Sequence, residues 1–317
     1  GFPAMGAVSG LTPLSSLAAL TNSSSLDSIL GGSITLTGNA GIGSNVLNAA
    51  SGLSAGGSLI LNGVVSGAYT LSKYGSNTLV LAGTNTFNAL SVYGGRVIVS
   101  GSGIAANGGN IAVYPGPVSG LQMGNVLRFD DSGISGVARN PGRIIYLNAA
   151  GMEFIGNASG NVEAMSGGYF QFNSGFSLVT LNQTGGAQLE ITNTTTGGYV
   201  RSNQATVLVR GINLTGGSAG FTFPSLGGGM GMAGQTGGNN TYNRGLIPWL
   251  LVDSSSTGSG SSFAVPTSNS QYMGLRPLNL LTEGTATLTA GSLNAWISGG
   301  SLLSAGPSTA DLGNVYV

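Results

Sequence analysis

From residue 33 onward the sequence repeats one local pattern: a run of four to seven apolar and β-branched residues, closed at each end by Gly, Asn or Ser. Asn77-Thr-Leu-Val-Leu81, Arg96-Val-Ile-Val99, Arg143-Ile-Ile-Tyr-Leu147, Gly168-Tyr-Phe-Gln-Phe172 and Ala205-Thr-Val-Leu-Val209 are examples. Many of these runs alternate with period two, the pattern of a strand with one face buried. Charged i, i+4 pairs and long stripes of 3.6-residue period, which support helices, do not occur after the first thirty residues. The chain reads as all-β.

Many short strands suit a sandwich, a barrel, a propeller or a solenoid, and internal repeats discriminate among them. Gly75 to Gly101 aligns without gaps on Gly185 to Gly211, with Leu79 on Leu189, Leu81 on Ile191 and Val97-Ile98-Val99 on Val207-Leu208-Val209. Strand, turn, strand and turn with glycine corners predicts a parallel β-solenoid, or β-helix, of about 20–25 residues per coil and on the order of 13 coils. Glycine supports this reading: 58 of 317 residues are Gly, against a usual share of about 7%. Tight corners call for positive φ, which Gly adopts without steric cost. The Asn-Gly pairs at 62–63 and 107–108 are the clearest turn signals.

The segment Lys73-x-Gly75-x-x-Thr78-Leu79-x-Leu81-x-Gly83-x-Asn85-Thr86-Phe87 resembles the autotransporter-associated β-strand repeat. The copy near Leu189 keeps Asn193 and Thr196 but has no glycine after the strand, and Ala89 stands where a glycine usually follows the aromatic. Arg244-Gly-Leu-Ile-Pro-Trp249 and Tyr272-Met-Gly-Leu-Arg-Pro277 are similar to segments of the large surface proteins that carry this repeat. The resemblance implies a secreted β-helical passenger or stalk, extracellular or on a bacterial cell surface, with no translocator domain in this stretch.

Composition removes several function classes. Charged residues are 6%, nine basic and nine acidic, and hydrophobic residues are 41%, the reverse of a disordered chain. Glycine does not recur every third residue, which excludes collagen. Nucleic-acid binding is disfavoured because no basic surplus exists to neutralise phosphates. With no Cys and no His, thiol and imidazole catalysis, disulfides and Cys/His zinc sites are excluded. No run of 18 apolar residues predicts a membrane-spanning helix. A transmembrane barrel needs strands of about ten residues with aromatic girdles, and these runs are mostly shorter. No cofactor or metal site is expected, and the chain is read as a structural protein, not an enzyme.

The candidate site residues are few. Asp130-Asp131 is the only adjacent acidic pair, with Arg128, Arg139 and Arg143 nearby. Paired carboxylates can hold Ca²⁺ or act on a glycosidic bond, but a solvated corner with local ion pairs is the expectation here. Glu153, Glu163 and Glu190 stand alone on strands and are expected to face outward. Tyr69, Tyr74, Phe87, Tyr93 and Tyr114 suggest either a stripe for stacking carbohydrate or core and corner packing. Met230 and Met232 lie in a glycine cluster that lacks the features of a phosphate loop. Asn-x-Ser/Thr triplets at Asn22, Asn157, Asn182, Asn193, Asn213 and Asn239 offer glycosylation sites.

Residues 1–30 are expected to form an arm or cap and residues 31–317 the solenoid, interrupted by glycine-rich loops near 224–245 and 254–262. The expected function is that of a self-assembling subunit of a bacterial surface fibre, sheath or stalk, the partner being a head-to-tail copy of the chain. The expectation rests on an apolar first segment and a last strand, Asn314-Val-Tyr-Val317, without a polar cap. Two alternatives stand beside it. One is an adhesin that binds surface carbohydrate or a partner through those loops, and the other is a β-helical polysaccharide-degrading enzyme with acids converging near Asp130.

Overall fold

A computed structural model describes residues 18–22, 24–43, 57–119, 121–134, 136–157, 161–165, 168–182, 189–193, 199–211, 214, 220–223, 240, 245–266, 273–283, 294–296 and 314–316. Nearly all the regular structure among them is β, and the pairing is mostly parallel. Sheet I runs, in hydrogen-bonded order, Ala18–Thr21, Ala40–Gly43, Thr70–Tyr74, Ala89–Val92, Ile111–Val113, Ile145–Asn148, Phe170–Ser174 and Tyr199–Arg201. Sheet II begins Ser28–Leu30, Leu59–Leu61, Thr78–Leu81, Arg96–Val99 and Val126–Asp130. It continues Gly151–Ile155, Phe176–Asn182, Thr206–Gly211 and Ile247–Asp253. From residue 18 to residue 211 the chain alternates between the two sheets. Neighbours within a sheet are therefore joined through a strand of the other, which supplies the long crossover that parallel pairing requires.

Register then places like over like. In Thr78–Leu81, Ala89–Val92 and Arg96–Val99 alternate residues are buried. Leu79, Val97, Leu127 and Met152 lie in one inward row of sheet II, and Leu81, Val99, Phe129 and Phe154 in the next. Side-chain size changes along the stack. Thr78 pairs with Arg96, only 18 residues on, and rows there are filled by Leu and Val. Farther along, Ile145, Phe170 and Tyr199 are partners 25 and 29 residues apart. There the core holds Phe154, Phe170, Phe172, Tyr199 and Trp249 in ring contact. Aromatic rings fill the core there in place of the aliphatic rows.

The segment from Lys73 to Phe87 shows why its residue types are needed. Leu79, Leu81 and Phe87 are fully buried. Gly75 has φ of 74°. Gly83 has no such φ; its requirement is space, since a Cβ there would lie 2.4 Å from the Gly63 carbonyl oxygen. Gly63 in turn lies under the Gly32 oxygen, at 2.2 Å from its own virtual Cβ. Close backbone stacking, more than left-handed φ, selects glycine at these corners. Asn85 bridges successive layers: Oδ1 accepts from the Val65 N–H at 2.9 Å and Nδ2 donates to the Ile104 oxygen at 3.2 Å.

Four features differ from expectation. Ala18–Thr21 and Ser28–Leu30 are the first strands of the two sheets, so the stack already includes residues on the near side of the boundary expected at 30. The 110-residue repeat does not map onto equivalent places. Thr78–Leu81 and Arg96–Val99 are neighbours, whereas Leu189–Asn193 joins Asn161–Met165 and Gly220–Phe223 in another parallel run, away from Thr206–Gly211. Nor is the layer spacing 20–25 residues throughout, since Val207 pairs with Leu250, 43 residues on. Finally, parallel order in sheet II stops at Ile247–Asp253, where Ser262–Pro266 and Met273–Pro277 add antiparallel and connect to Gly220–Phe223.

Replacing Gly83 by Ala should lower stability by about 2–3 kcal/mol, because backbone and not a movable side chain opposes the new methyl. Urea denaturation checks this, with Gly31→Ala, which meets nothing within 4 Å, as the neutral comparison.

Candidate functional site

The acidic pair does not form a site. Successive strand residues point to opposite faces, and the two carboxylates diverge at the end of Val126–Asp130. Asp130 accepts from the Ser132 N–H at 3.1 Å and its hydroxyl at 2.6 Å. Asp131 turns inward and pairs with Arg139, their side chains 2% and 0% exposed. Arg139 Nη1 also donates to the carbonyls of Gly101 at 2.9 Å and Gly103 at 3.2 Å. The expected solvated corner is thus a buried ion pair, created because the segment after Asp131 folds back over an earlier corner. The arginines disperse: Arg143 donates to the Gly108 oxygen at 2.8 Å and the Asn107 oxygen, and Arg128 goes to Glu153.

Glu153 is outward-facing as expected, but it is not alone. Its Oε2 accepts from Arg96 Nη1 at 2.6 Å and from Arg128 Nε at 2.7 Å. The three residues come from three adjacent strands of sheet II. Farther along the same face, Arg210 Nε donates to Thr180 Oγ1 at 3.0 Å and Nη1 to the Gly258 oxygen at 3.1 Å. That second bond helps hold the connection at 254–262, read from sequence as a loop. Asp253 accepts there from the N–H groups of Ser255 and Gly260. Arg96, Glu153, Thr180 and Arg210 line a cleft of about 250 Å³, walled by Leu121, Gln122 and Met123.

Tyr74, Tyr93 and Tyr114 form a ladder, with ring centroids 5.2 and 4.3 Å apart and planes within 6° and 11°. Tyr69 has no place in it, and Phe87 is core. Stacking uses the inner ring faces, so the ladder presents edges and hydroxyls along its length and not the open faces that a sugar ring needs. The hydrogen bond with Tyr93, with burial and the neighbouring phenols, holds the Tyr114 hydroxyl above its usual range. Beside the ladder Lys73 occupies an inward row between Ile42 and Val92. Its Nζ donates to the carbonyls of Tyr74 and Gly75 at 2.8 Å and Gly94 at 3.0 Å. Three acceptors match the three protons of the ammonium, while burial pushes its pKa down to about 7.

Glu163 and Glu190 lie on adjacent strands, one register position apart. Asn22 is buried, and its Nδ2 donates to the Leu26, Gly57 and Ser58 carbonyls. Asn157 Nδ2 donates to the carbonyls of Asp131 and Ser132. Asn182 and Asn193 end their strands. Met230, Met232, Asn213, Asn239 and most of 224–245 lie outside the described residues. Arg276, in a segment singled out by sequence, pairs with Glu283 at 2.7 Å. Burial alone would raise the Glu283 carboxyl, but hydrogen bonds from Arg276, Asn279 and Asn240 hold it below the ordinary carboxylate range. Among the described residues no group of three or more metal-ligating side chains occurs. The contacts of Lys73, of the Arg96–Glu153–Arg128 cluster and of Arg276 with Glu283 carried no signal in sequence, since each depends on residues brought together by register or by a turn.

No known protein family, curated protein or solved structure matches the chain.

Asp131→Asn should cost about 3–5 kcal/mol, the usual consequence of stranding one member of a buried pair. Asp130→Asn should stay within about 0.5 kcal/mol, because an amide oxygen serves Ser132 equally well; chemical denaturation of both variants checks this. Lys73 makes a pH-dependent contribution. An unfolded lysine holds its proton to about 10.4, so between pH 7 and that value the unfolded chain binds more protons and stability rises with pH. The expected slope is at most about 1.4 kcal/mol per pH unit, read between pH 7 and 9.5, below the tyrosine range. Lys73→Met should abolish the slope and lower stability by about 1–3 kcal/mol through the carbonyls left unpaired.

Proposed function

We propose that this protein is a non-enzymatic structural element of a bacterial surface: an extracellular β-solenoid that assembles with copies of itself. The observation that carries this reading is the alternation of the chain between two parallel sheets from residue 18 to residue 211, the connectivity of a coil in which each layer covers the next. The resemblance of residues 73–87 to the autotransporter-associated repeat agrees with it. In that segment Lys73, Gly83, Asn85 and Phe87 all serve the stack itself, as a structural repeat requires. Asp131, the acid a hydrolytic reading would use, is buried against Arg139.

Self-association is supported by the first strand of sheet II. Ser28–Leu30 pairs on one side only among the described residues, with Leu59–Leu61. Ile29 on this strand and Leu26 just before it are 65% and 74% exposed. An apolar strand edge is a template for pairing with another chain. A head-to-tail contact of this kind is heterologous and propagates as a filament when it does not close.

Electron microscopy of the purified protein should show rods, and analytical ultracentrifugation should show concentration-dependent growth. Ile29→Lys should weaken that growth by about tenfold while leaving the fold intact by circular dichroism. Globular monomers at high concentration would contradict the proposal.

A further inference from the structure

We infer that Tyr93 and Tyr114 form an oxidative modification site, at which a one-electron oxidant of the peroxidase type, working with hydrogen peroxide, joins the two phenols into a dityrosine cross-link between successive layers of sheet I. This goes beyond the structural role proposed above and does not depend on it, because both phenols belong to one chain and the reaction needs no second copy.

The backbone sets the pair. Val92 and Val113 are register partners in sheet I, and Tyr93 and Tyr114 follow them directly. The Tyr114 N–H donates to the Val92 carbonyl at 2.9 Å, and the Tyr93 N–H to the Lys73 carbonyl at 2.9 Å. Each step of the ladder is thus anchored by a backbone hydrogen bond to the layer before it. The ring centroids of Tyr93 and Tyr114 are 4.3 Å apart with planes within 11°, against 5.2 Å for Tyr74 and Tyr93. Their hydroxyls are also hydrogen-bonded to each other, so the rings overlap with their hydroxyl ends together. The Cε carbons, which lie ortho to the hydroxyls, therefore face their counterparts across the stack.

Those carbons are where phenols couple. Oxidation removes one electron and the hydroxyl proton from each phenol, and the resulting radicals carry spin on the oxygen and on the Cε carbons. One Cε–Cε bond forms, and the hydrogen that each of these carbons carried moves to its own oxygen, restoring two phenols. One hydrogen peroxide takes up the two electrons and two protons, its O–O bond breaks, and two waters leave. Holding the partners in contact replaces a bimolecular encounter by an intramolecular step. Tyr93 is 42% exposed, which gives the oxidant access and gives the ring room to swing out of the parallel arrangement as the biaryl forms.

Other tyrosines lack one of these requirements. Tyr69 is exposed but stands outside the ladder, and Tyr199 is buried against Phe170 and Phe172, whose rings carry no hydroxyl. The chain has ten Tyr and no Cys, so phenol coupling is a covalent staple open to a protein that cannot form a disulfide. Like a disulfide, a bond between residues 93 and 114 closes a loop and restricts the unfolded chain.

The test is treatment of the full chain, in dilute solution, with a haem peroxidase and hydrogen peroxide. Dityrosine fluorescence, a denaturing gel and mass spectrometry of a tryptic digest read the product. Trypsin cuts after Lys73, Arg96 and Arg128, which puts Tyr93 on the peptide 74–96 and Tyr114 on the peptide 97–128. The expected product is a chain of monomer size in which these two peptides are joined, two hydrogens lighter than their sum, with fragmentation placing the bond on Tyr93. It should unfold at a higher urea concentration than the untreated chain. Tyr93→Phe and Tyr114→Phe keep the stacked ring and should each lower the yield about tenfold, because the held pair of phenols is lost. Tyr69→Phe should leave the yield unchanged, and unfolding the chain before oxidation should remove the link. Absence of dityrosine, coupling only between chains, a link confined to Tyr74 and Tyr93, or an equal yield from Tyr93→Phe would overturn the inference.

Discussion

Parallel strands a hydrogen bond apart place every residue above a counterpart in the next layer, at about 4.8 Å. That spacing is the constraint on which the rest of this protein depends. A carbonyl of one layer lies so close to the corner of the next that no Cβ fits at Gly63 or Gly83. The same repeat puts Tyr93 between Tyr74 and Tyr114 with nearly parallel, stacked rings. Leu, Val and Phe rows arise for the identical reason, and they let burial accumulate layer by layer.

The corners, where ladder hydrogen bonds end, are handled by buried polar side chains. Asn85 serves the layers before and after it. Asn125 accepts from the Gly95 N–H and donates to the Tyr114 and Pro115 carbonyls. Lys73 closes over three carbonyls and Arg139 over two. An unpaired buried carbonyl would cost about 1–3 kcal/mol, so these side chains keep irregular backbone inside the molecule affordable. Lys73 shows the limit of the device: its charge has no anionic partner among its contacts, and burial therefore drives its proton affinity down.

The outer face of sheet II divides along its length. Near the first strands it is apolar, with Ile29, Ile60, Val80 and Ile98 in one lane. From Arg128 onward the same lane becomes charged, and the lane beside it is covered by Leu121, Met123 and Phe176. One sheet thus carries an apolar face toward the edge where self-pairing is proposed, and a polar cleft away from it.

The all-β character was legible in the sequence because period-two alternation is a local property, written in runs such as Asn77 to Leu81. Parallel stacking was expected from the 110-residue repeat and its glycine corners; the pairing is mostly parallel, although the two copies of that repeat take inequivalent places. What the sequence could not state is which run lies on which. Leu79 and Leu189 occupy matching positions in two similar segments, yet they end in separate parallel runs of one continuous sheet, because longer connections in the second half admit a further strand. The same limit applies to the charged groups. Asp131 meets Arg139, and Arg96 meets Glu153 57 residues away, only after turns and register are set. Local patterning determined the strands and their corners by itself. The burial of Asp131 and Lys73, the tyrosine ladder and the arginine cleft were decided by tertiary structure, because each depends on distances between residues far apart in the chain.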